Sequence, residues 1–228
     1  MMSGKLFVIE GLDGSGKQTQ SDLLYRRLLA ERYQIKKVEF PNYRSESSSL
    51  VKMYLRGDFG TDPDQISPYI SSTFFAADRY ASYKTEFEQF YLDGGIIIAD
   101  RYTTSNMVHQ ASKIHKESEK IRFLDWLWSF EFEMYQIPVP NQVFFLDVRP
   151  VTAMQLIANR ENKFSHEKEK DIHEKSRTHL SDSYVNALKL VKKYSWETID
   201  CNTENGSIKS IEEINEMIYL RIKTYLEV

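Results

Sequence analysis

The sequence predicts an α/β fold, a parallel five-stranded sheet with helices on both faces in a three-layer α/β/α arrangement. Three observations predict it. Short apolar runs alternate with helical patterns along the whole chain. Most of those runs are continuously apolar, as in strands buried on both faces. A glycine-rich turn links the first run to the first helical pattern. With 228 residues the chain can bury one good core, and residues 1–228 are expected to form a single domain.

Leu6–Ile9 is the first strand, and the helical pattern after the glycine turn covers Lys17–Glu31. Lys36–Phe40 is the second strand, followed by helical patterns at Ser47–Leu55 and Pro68–Leu92. Ile96–Ala99 is the third strand, with a helix at Ser118–Tyr135. Val143–Leu146 is the fourth, with helices at Val151–Asn159 and Asp171–Tyr194. Trp196–Ile199 and a helix at Ser210–Leu226 close the order. Strands alternating with helices imply a parallel sheet covered on both sides. Ligands of such sheets bind beyond the carboxyl ends of the strands, where the chemistry-bearing segments fall. Ser118–Tyr135 contains IRFLDWLWSFEFEMY, more apolar than one helical stripe requires. A helix apolar nearly all round is buried on several sides, within the domain or against another subunit, and a homodimer is expected.

A net charge of −3 gives no electrostatic argument for nucleic acid or an anionic membrane. Thirteen per cent aromatic residues argues for an ordered fold. The single cysteine, Cys201, permits no internal disulfide and fits a reducing compartment, buried at a strand end. No apolar run approaches a membrane span, and Met1–Lys5 does not resemble a signal peptide, so a cytoplasmic location is expected.

The segment LFVIEGLDGSGKQTQ, Leu6 to Gln20, places Gly11, Gly16 and Lys17 at the spacing of a phosphate-binding P-loop. Glycines let the chain wrap closely around a polyphosphate, and successive N–H groups and the helix N-terminus face it. Gly11, Asp13, Gly14, Ser15, Gly16, Lys17, Gln18 and Thr19 are the candidate ATP and phosphate contacts. Lys17 would reach the β/γ-phosphates as a mobile charge. The residue after that lysine is normally Ser or Thr, whose hydroxyl helps hold Mg²⁺; here Gln18 stands there, with Thr19 next.

Asp100 and Arg101 end the apolar run Ile96–Ala99. The acid suits a metal or its water, and the arginine offers a planar fork to a phosphate; alone, they fit a structural ion pair equally well. In the segment STFFAADR, Phe75 and Arg79 lie four residues apart on one helix face. They could stack on a nucleobase and bond its edge, although in isolation a core Phe and a solvated Arg describe them as well.

The P-loop, Phe-Pro-Asn-Tyr at 40–43, FFAADR and DRY-x-x-S occur in this order from Leu6 to about Tyr184. Together they closely resemble thymidylate kinase, the P-loop enzyme that phosphorylates dTMP with ATP. The resemblance implies roles. Asp13 looks like the acid near the acceptor's 3′-hydroxyl. Phe40, Pro41 and Tyr43 look like the loop beside its 5′-phosphate, where the bond before proline is often cis. Phe75 looks like the thymine-stacking ring, Arg79 like the contact to O4, and Arg101 like the anchor of the acceptor phosphate. Ser105 and Asn106 lie where the family contacts the base. His109 stands where many relatives have Tyr or Phe under the sugar; imidazole is smaller and can bond a hydroxyl, and the competing reading is a histidine on the surface or behind the residues that touch the ligand.

The charged stretch Arg160–Lys170 lies where the family places a mobile lid over ATP, at about 160–171. Some relatives carry a catalytic arginine at the position of Gly14, and others supply cations from the lid. Gly14 places this chain with the second group, with Arg160 the leading cation and Lys163, Lys168 and Lys170 behind it. Asp171, His173 and Glu174 resemble an acidic cluster near Mg²⁺ water and the acceptor; they equally suit acids at a helix N-terminus. Lys17, Arg101, Arg160 and Asp13 are thus the catalytic candidates. His173 joins the dTMP contacts, and Asp100, Thr19 and Glu174 would hold Mg²⁺, largely through water. The five histidines show no structural-metal spacing. A deoxynucleoside kinase favours Asp-Arg-Ser over Asp-Arg-Tyr, and a nucleotide-binding interaction module has only Gln18 in its favour.

Overall fold

The structure is a computed structural model, which describes residues 4–158 and 177–227. Five strands form one parallel sheet in the order β2-β3-β1-β4-β5, namely β1 Lys5–Gly11, β2 Ile35–Glu39, β3 Ile96–Asp100, β4 Gln142–Asp147 and β5 Glu197–Asp200. The five sequence runs match these strands to within two residues at each end. β1 explains why they were legible. Leu6 and Val8 enter one buried cluster and Phe7 and Ile9 the other, so both faces are apolar.

The main helices are α1 Lys17–Ala30, α2 Ser49–Arg56, α3 Pro68–Ser82, α4 Glu88–Leu92, α5 Glu117–Trp128, α6 Pro150–Ala158, α7 Arg177–Lys193 and α8 Ile211–Leu226. α8 begins with a reciprocal cap, Ser210 Oγ accepting from Glu213 N while the Glu213 carboxylate accepts from Ser210 N. Cys201 is buried just after β5, its Sγ donating to the Ile199 carbonyl at 3.3 Å, and burial raises its thiol to about 12.

Two helical patterns are corrected. Pro68–Leu92 is not one helix but α3 and α4 separated by a π-helical turn at Tyr83–Phe87. Ser118–Tyr135 ends as a helix at Trp128 and continues as a π turn, Ser129–Met134. Neither break carries Pro or Gly, so the sequence gives no sign of it. Nor is this segment buried on all sides. Met134 is 71% exposed, whereas Glu131, polar in sequence, is fully buried. A third π turn, Asn106–Gln110, follows β3 and the short helix Thr103–Ser105.

Candidate active site

The strand order places the carboxyl ends of β1 and β3 side by side, Ile9 opposite Asp100. The loop after β1 carries Gly11, Gly14 and Gly16 at φ 157°, 81° and 82°, backbone that only glycine adopts without strain. At Gly14 a Cβ would also sit 2.5 Å from the Ala153 carbonyl oxygen on α6. The loop thus lies flat against α6, which leaves no room there for a side chain. Ser15 Oγ is buried with no hydrogen-bond partner among the described residues. Lys17 is 5% exposed, and its Nζ donates to the Gly11 and Leu12 carbonyls at 2.8 and 2.5 Å. Burial, then repulsion from Arg101, lowers its ammonium to about 7. The cavity beside this desolvated lysine has room for an anion.

That cavity is lined by Gly14–Gln20, Asp100 and Arg101, with Leu156, Ile208 and Ile211 forming an apolar wall. Asp100 is 4% exposed and its carboxylate makes no hydrogen bond among the described residues. A buried carboxylate on the wall of this cavity, unbonded among the described residues, suits a hydrated divalent cation. Thr19 lines the same space. Among the described residues no group of three or more His, Cys, Asp or Glu side chains could hold a metal by itself.

A second cavity adjoins the first. It is lined by Asp13, Phe40, Pro41, Tyr43, Leu55, Phe75, Arg79, Arg101, Tyr102, Ser105, Asn106, His109 and Gln110. Every residue that the resemblance assigns to the acceptor nucleotide is therefore here, except His173. His173, Arg160, Lys163, Lys168, Lys170, Asp171 and Glu174 lie outside the described residues. Arg101 is the residue common to the two cavities.

Arg101 adopts φ 68°, unusual for a side-chain-bearing residue. Its Nη2 donates to Asp13 Oδ1, its Nη1 lies 3.5 Å from Ser105 Oγ and 3.3 Å from His109 Nε2, and its backbone N–H donates to the Ile9 carbonyl at 3.2 Å. The ion pair at this strand end is thus Arg101 with Asp13, not with Asp100. His109 is 7% exposed rather than on the surface, and burial holds it well below its usual pKa, so its neutral Nε2 can accept from Arg101. Its ring stacks on His179 of α7, with centroids 5.9 Å apart.

The loop after β2 contains a cis Phe40–Pro41 bond. It is tied to α3 by Asp78, whose carboxylate accepts from Asn42 N at 2.7 Å and Ser47 Oγ at 2.6 Å. On α3, Phe75 meets Tyr54 edge-on at 6.0 Å. Arg79 is not solvated. It is 2% exposed, and Glu131 accepts from its Nε at 2.7 Å and Nη2 at 2.6 Å.

Sequence reasoning missed several contributors. Glu10 is fully buried, accepting from Thr104 Oγ1 at 2.6 Å and Ser105 Oγ at 2.8 Å. As the one acid in the apolar run LFVIE, it is the sequence's signal of a buried carboxylate that needs hydrogen-bond donors. Glu131 carried no such signal, since Asp125 and Glu133 are acids in the same aromatic run. Gln110, accepting from Ser71 Oγ at 2.7 Å, and the wall formed by Leu156, Ile208 and Ile211 carried no sequence pattern.

A glycine loop at the first strand of a parallel sheet, with two cavities meeting at one arginine, defines a P-loop α/β protein with two adjoining pockets at the carboxyl ends of its strands. The comparisons narrow the class. Residues 9–215 match the thymidylate kinase family model. A thymidylate kinase of Schizosaccharomyces pombe is 27% identical over 216 residues, 94% of this chain and 90% of that one. A Sulfolobus acidocaldarius protein described as a probable thymidylate kinase is 31% identical over 216 residues, 94% of this chain and 97% of its own length. A thymidylate kinase structure from Candida albicans superposes with a TM-score of 0.67 at 21% identity, covering 98% of this chain and 92% of that one. The chain belongs to the thymidylate kinase family, a family of nucleoside monophosphate kinases.

Proposed function

We propose that the chain transfers the γ-phosphoryl group of ATP to the 5′-phosphate of dTMP, giving dTDP and ADP. The observation that carries this reading is the placement of Arg101, which lines the phosphate-loop cavity and the aromatic cavity at once. ATP would lie along the loop, with adenine against Leu156, Ile208 and Ile211. Lys17 would leave the Gly11 and Leu12 carbonyls for the β/γ-phosphates. dTMP would occupy the second cavity, with thymine on Phe75, its edge at Arg79 and its phosphate at Arg101. Asp13 orients Arg101 and lies near the sugar; Ser105, Asn106 and His109 complete the wall. An acceptor phosphate oxygen forms the new bond to the γ-phosphorus as the bond to the β–γ bridging oxygen breaks. No covalent enzyme intermediate is needed, since positioning and electrostatics supply the catalysis.

Asp100 and Thr19, through water, are the described residues suited to Mg²⁺, which when bound neutralises charge on the β/γ-phosphates. Glu174 is assigned to the same ion on sequence position alone. Arg160 is likewise assigned, on sequence alone, to the charge of the transferring group. Residues 1–228 would act as one domain, with a lid at about 160–171. No helix among the described residues is long and apolar enough to cross a membrane; a cytoplasmic enzyme is the reading adopted. A homodimer would use the aromatic face formed by α3, α5 and the π turn after α5, where Tyr69 packs on Trp126 and Tyr80 on Tyr135, and where Ile70 and Met134 are exposed.

The test is Arg101→Ala. Folded variant protein should lose about two decades or more of kcat with ATP and dTMP. Wild-type turnover would remove the reading.

A further inference from the structure

We propose that Glu131 is a positioning residue for recognition of the acceptor base, acting through Arg79. This rests on the reading of the aromatic cavity as the dTMP site. The pair is closed from solvent: Arg79 is 2% exposed and Glu131 0%. Glu131 accepts from Nε and Nη2 of Arg79, and a third donor, Thr103 Oγ1, reaches the same carboxylate at 2.9 Å. One edge of the guanidinium is thereby used completely. The opposite edge, carrying Nη1, makes no hydrogen bond among the described residues and belongs to a side chain that lines the cavity.

Two consequences follow. A bidentate carboxylate fixes the guanidinium plane, so the remaining N–H groups meet the base in one orientation. The pair is also neutral overall. It offers hydrogen-bond donors without a net positive charge, which suits the uncharged carbonyl edge of a pyrimidine rather than a second phosphate. Discrimination between the two ends of the acceptor then falls to Arg101 and Arg79, each held by its own carboxylate, Asp13 and Glu131. The device depends on the π turn Ser129–Met134. The extra residue of a π turn shifts register, and here the shift coincides with Glu131 facing inward while Met134 faces solvent. A buried ion pair adds little stability by itself, so orientation is the more economical account of this one.

The test compares Glu131→Gln with wild type, using dTMP and the monophosphate of a thymidine analogue in which hydrogen replaces the 4-oxo oxygen. Glu131→Gln should raise KM for dTMP about tenfold, because a hydrogen-bonding site loses its geometry, with KM for ATP and kcat changed less than about twofold. KM for the analogue should move much less, since the O4 acceptor that would face the Nη1 edge is gone. Thr103→Val, which keeps the ion pair but removes its third donor, should give the same selectivity at smaller size. It keeps the proposal testable if Glu131→Gln does not fold. Equal losses for dTMP and the analogue, or no loss for either, in whichever variant folds would overturn the proposal. Arg79→Ala separates the two readings. If it leaves KM for dTMP unchanged, the cavity is not the base site; if it raises that KM while Glu131→Gln does not, only the role of Glu131 falls.

Discussion

Binding of ATP should draw a proton onto Lys17, and the size of this effect follows from the lysine's surroundings. In the ligand-free protein, burial and then Arg101 lower the ammonium to about 7. A polyphosphate beside Nζ favours the charged form and returns the pKa toward the ordinary lysine value of about 10.4. At pH 8, a group with a pKa of about 7 is roughly one-tenth protonated, so binding should take up about 0.9 proton. The sign is fixed. The bound state holds more protons, so affinity for ATP should fall as pH rises above 7, by up to about tenfold per pH unit. The assay is titration calorimetry at pH 8 in two buffers of different ionisation enthalpy. The slope of apparent enthalpy against buffer enthalpy gives the protons exchanged. Lys17→Met should abolish the uptake. A wild-type slope of zero, or proton release, would refute the account of Lys17 as a buried lysine waiting for an anion.

Three further outcomes are expected. Gly14→Arg should not install a working cation in the loop; its Cβ would strike the Ala153 carbonyl of α6 at a left-handed φ, and denaturant unfolding should show a loss of about 2 kcal/mol or more. Phe75→Ala should weaken dTMP binding selectively while ATP affinity, by calorimetry, stays within about twofold; equal losses would mark the ring as structural. Excess chelator should abolish turnover despite Gln18, because Mg²⁺ needs few protein ligands and the buried Asp100 carboxylate lines the phosphate-loop cavity; undiminished activity would contradict this.

The strands and the phosphate loop were legible because both are written in local sequence. Ile96–Asp100 is buried throughout, and no polar residue interrupts it before Asp100. The loop declares itself through glycines at positive φ. The partnerships were not legible, since they join residues far apart in the chain. Asp13 meets Arg101 across 88 positions and Arg79 meets Glu131 across 52. Reading Phe75 and Arg79 as one helix face placed both beside the cavity, but the same pattern could not show that half of the guanidinium is already taken. The π turns escaped detection because they lack Pro and Gly, and the bends they introduce bring His109, Gln110 and Glu131 into place.

The proposed acceptor is a thymine deoxynucleoside monophosphate, whose phosphate rather than a hydroxyl receives the phosphoryl group. The direct measurement is ³¹P NMR of turnover with Mg²⁺–ATP against a panel of thymidine, deoxycytidine, dTMP, dUMP, dCMP and dGMP. dTMP should be consumed fastest, with β-phosphate resonances of dTDP and ADP rising together, and thymidine should give no monophosphate. Phosphorylation of thymidine with dTMP left untouched, or equal rates for dTMP and dGMP, would contradict it.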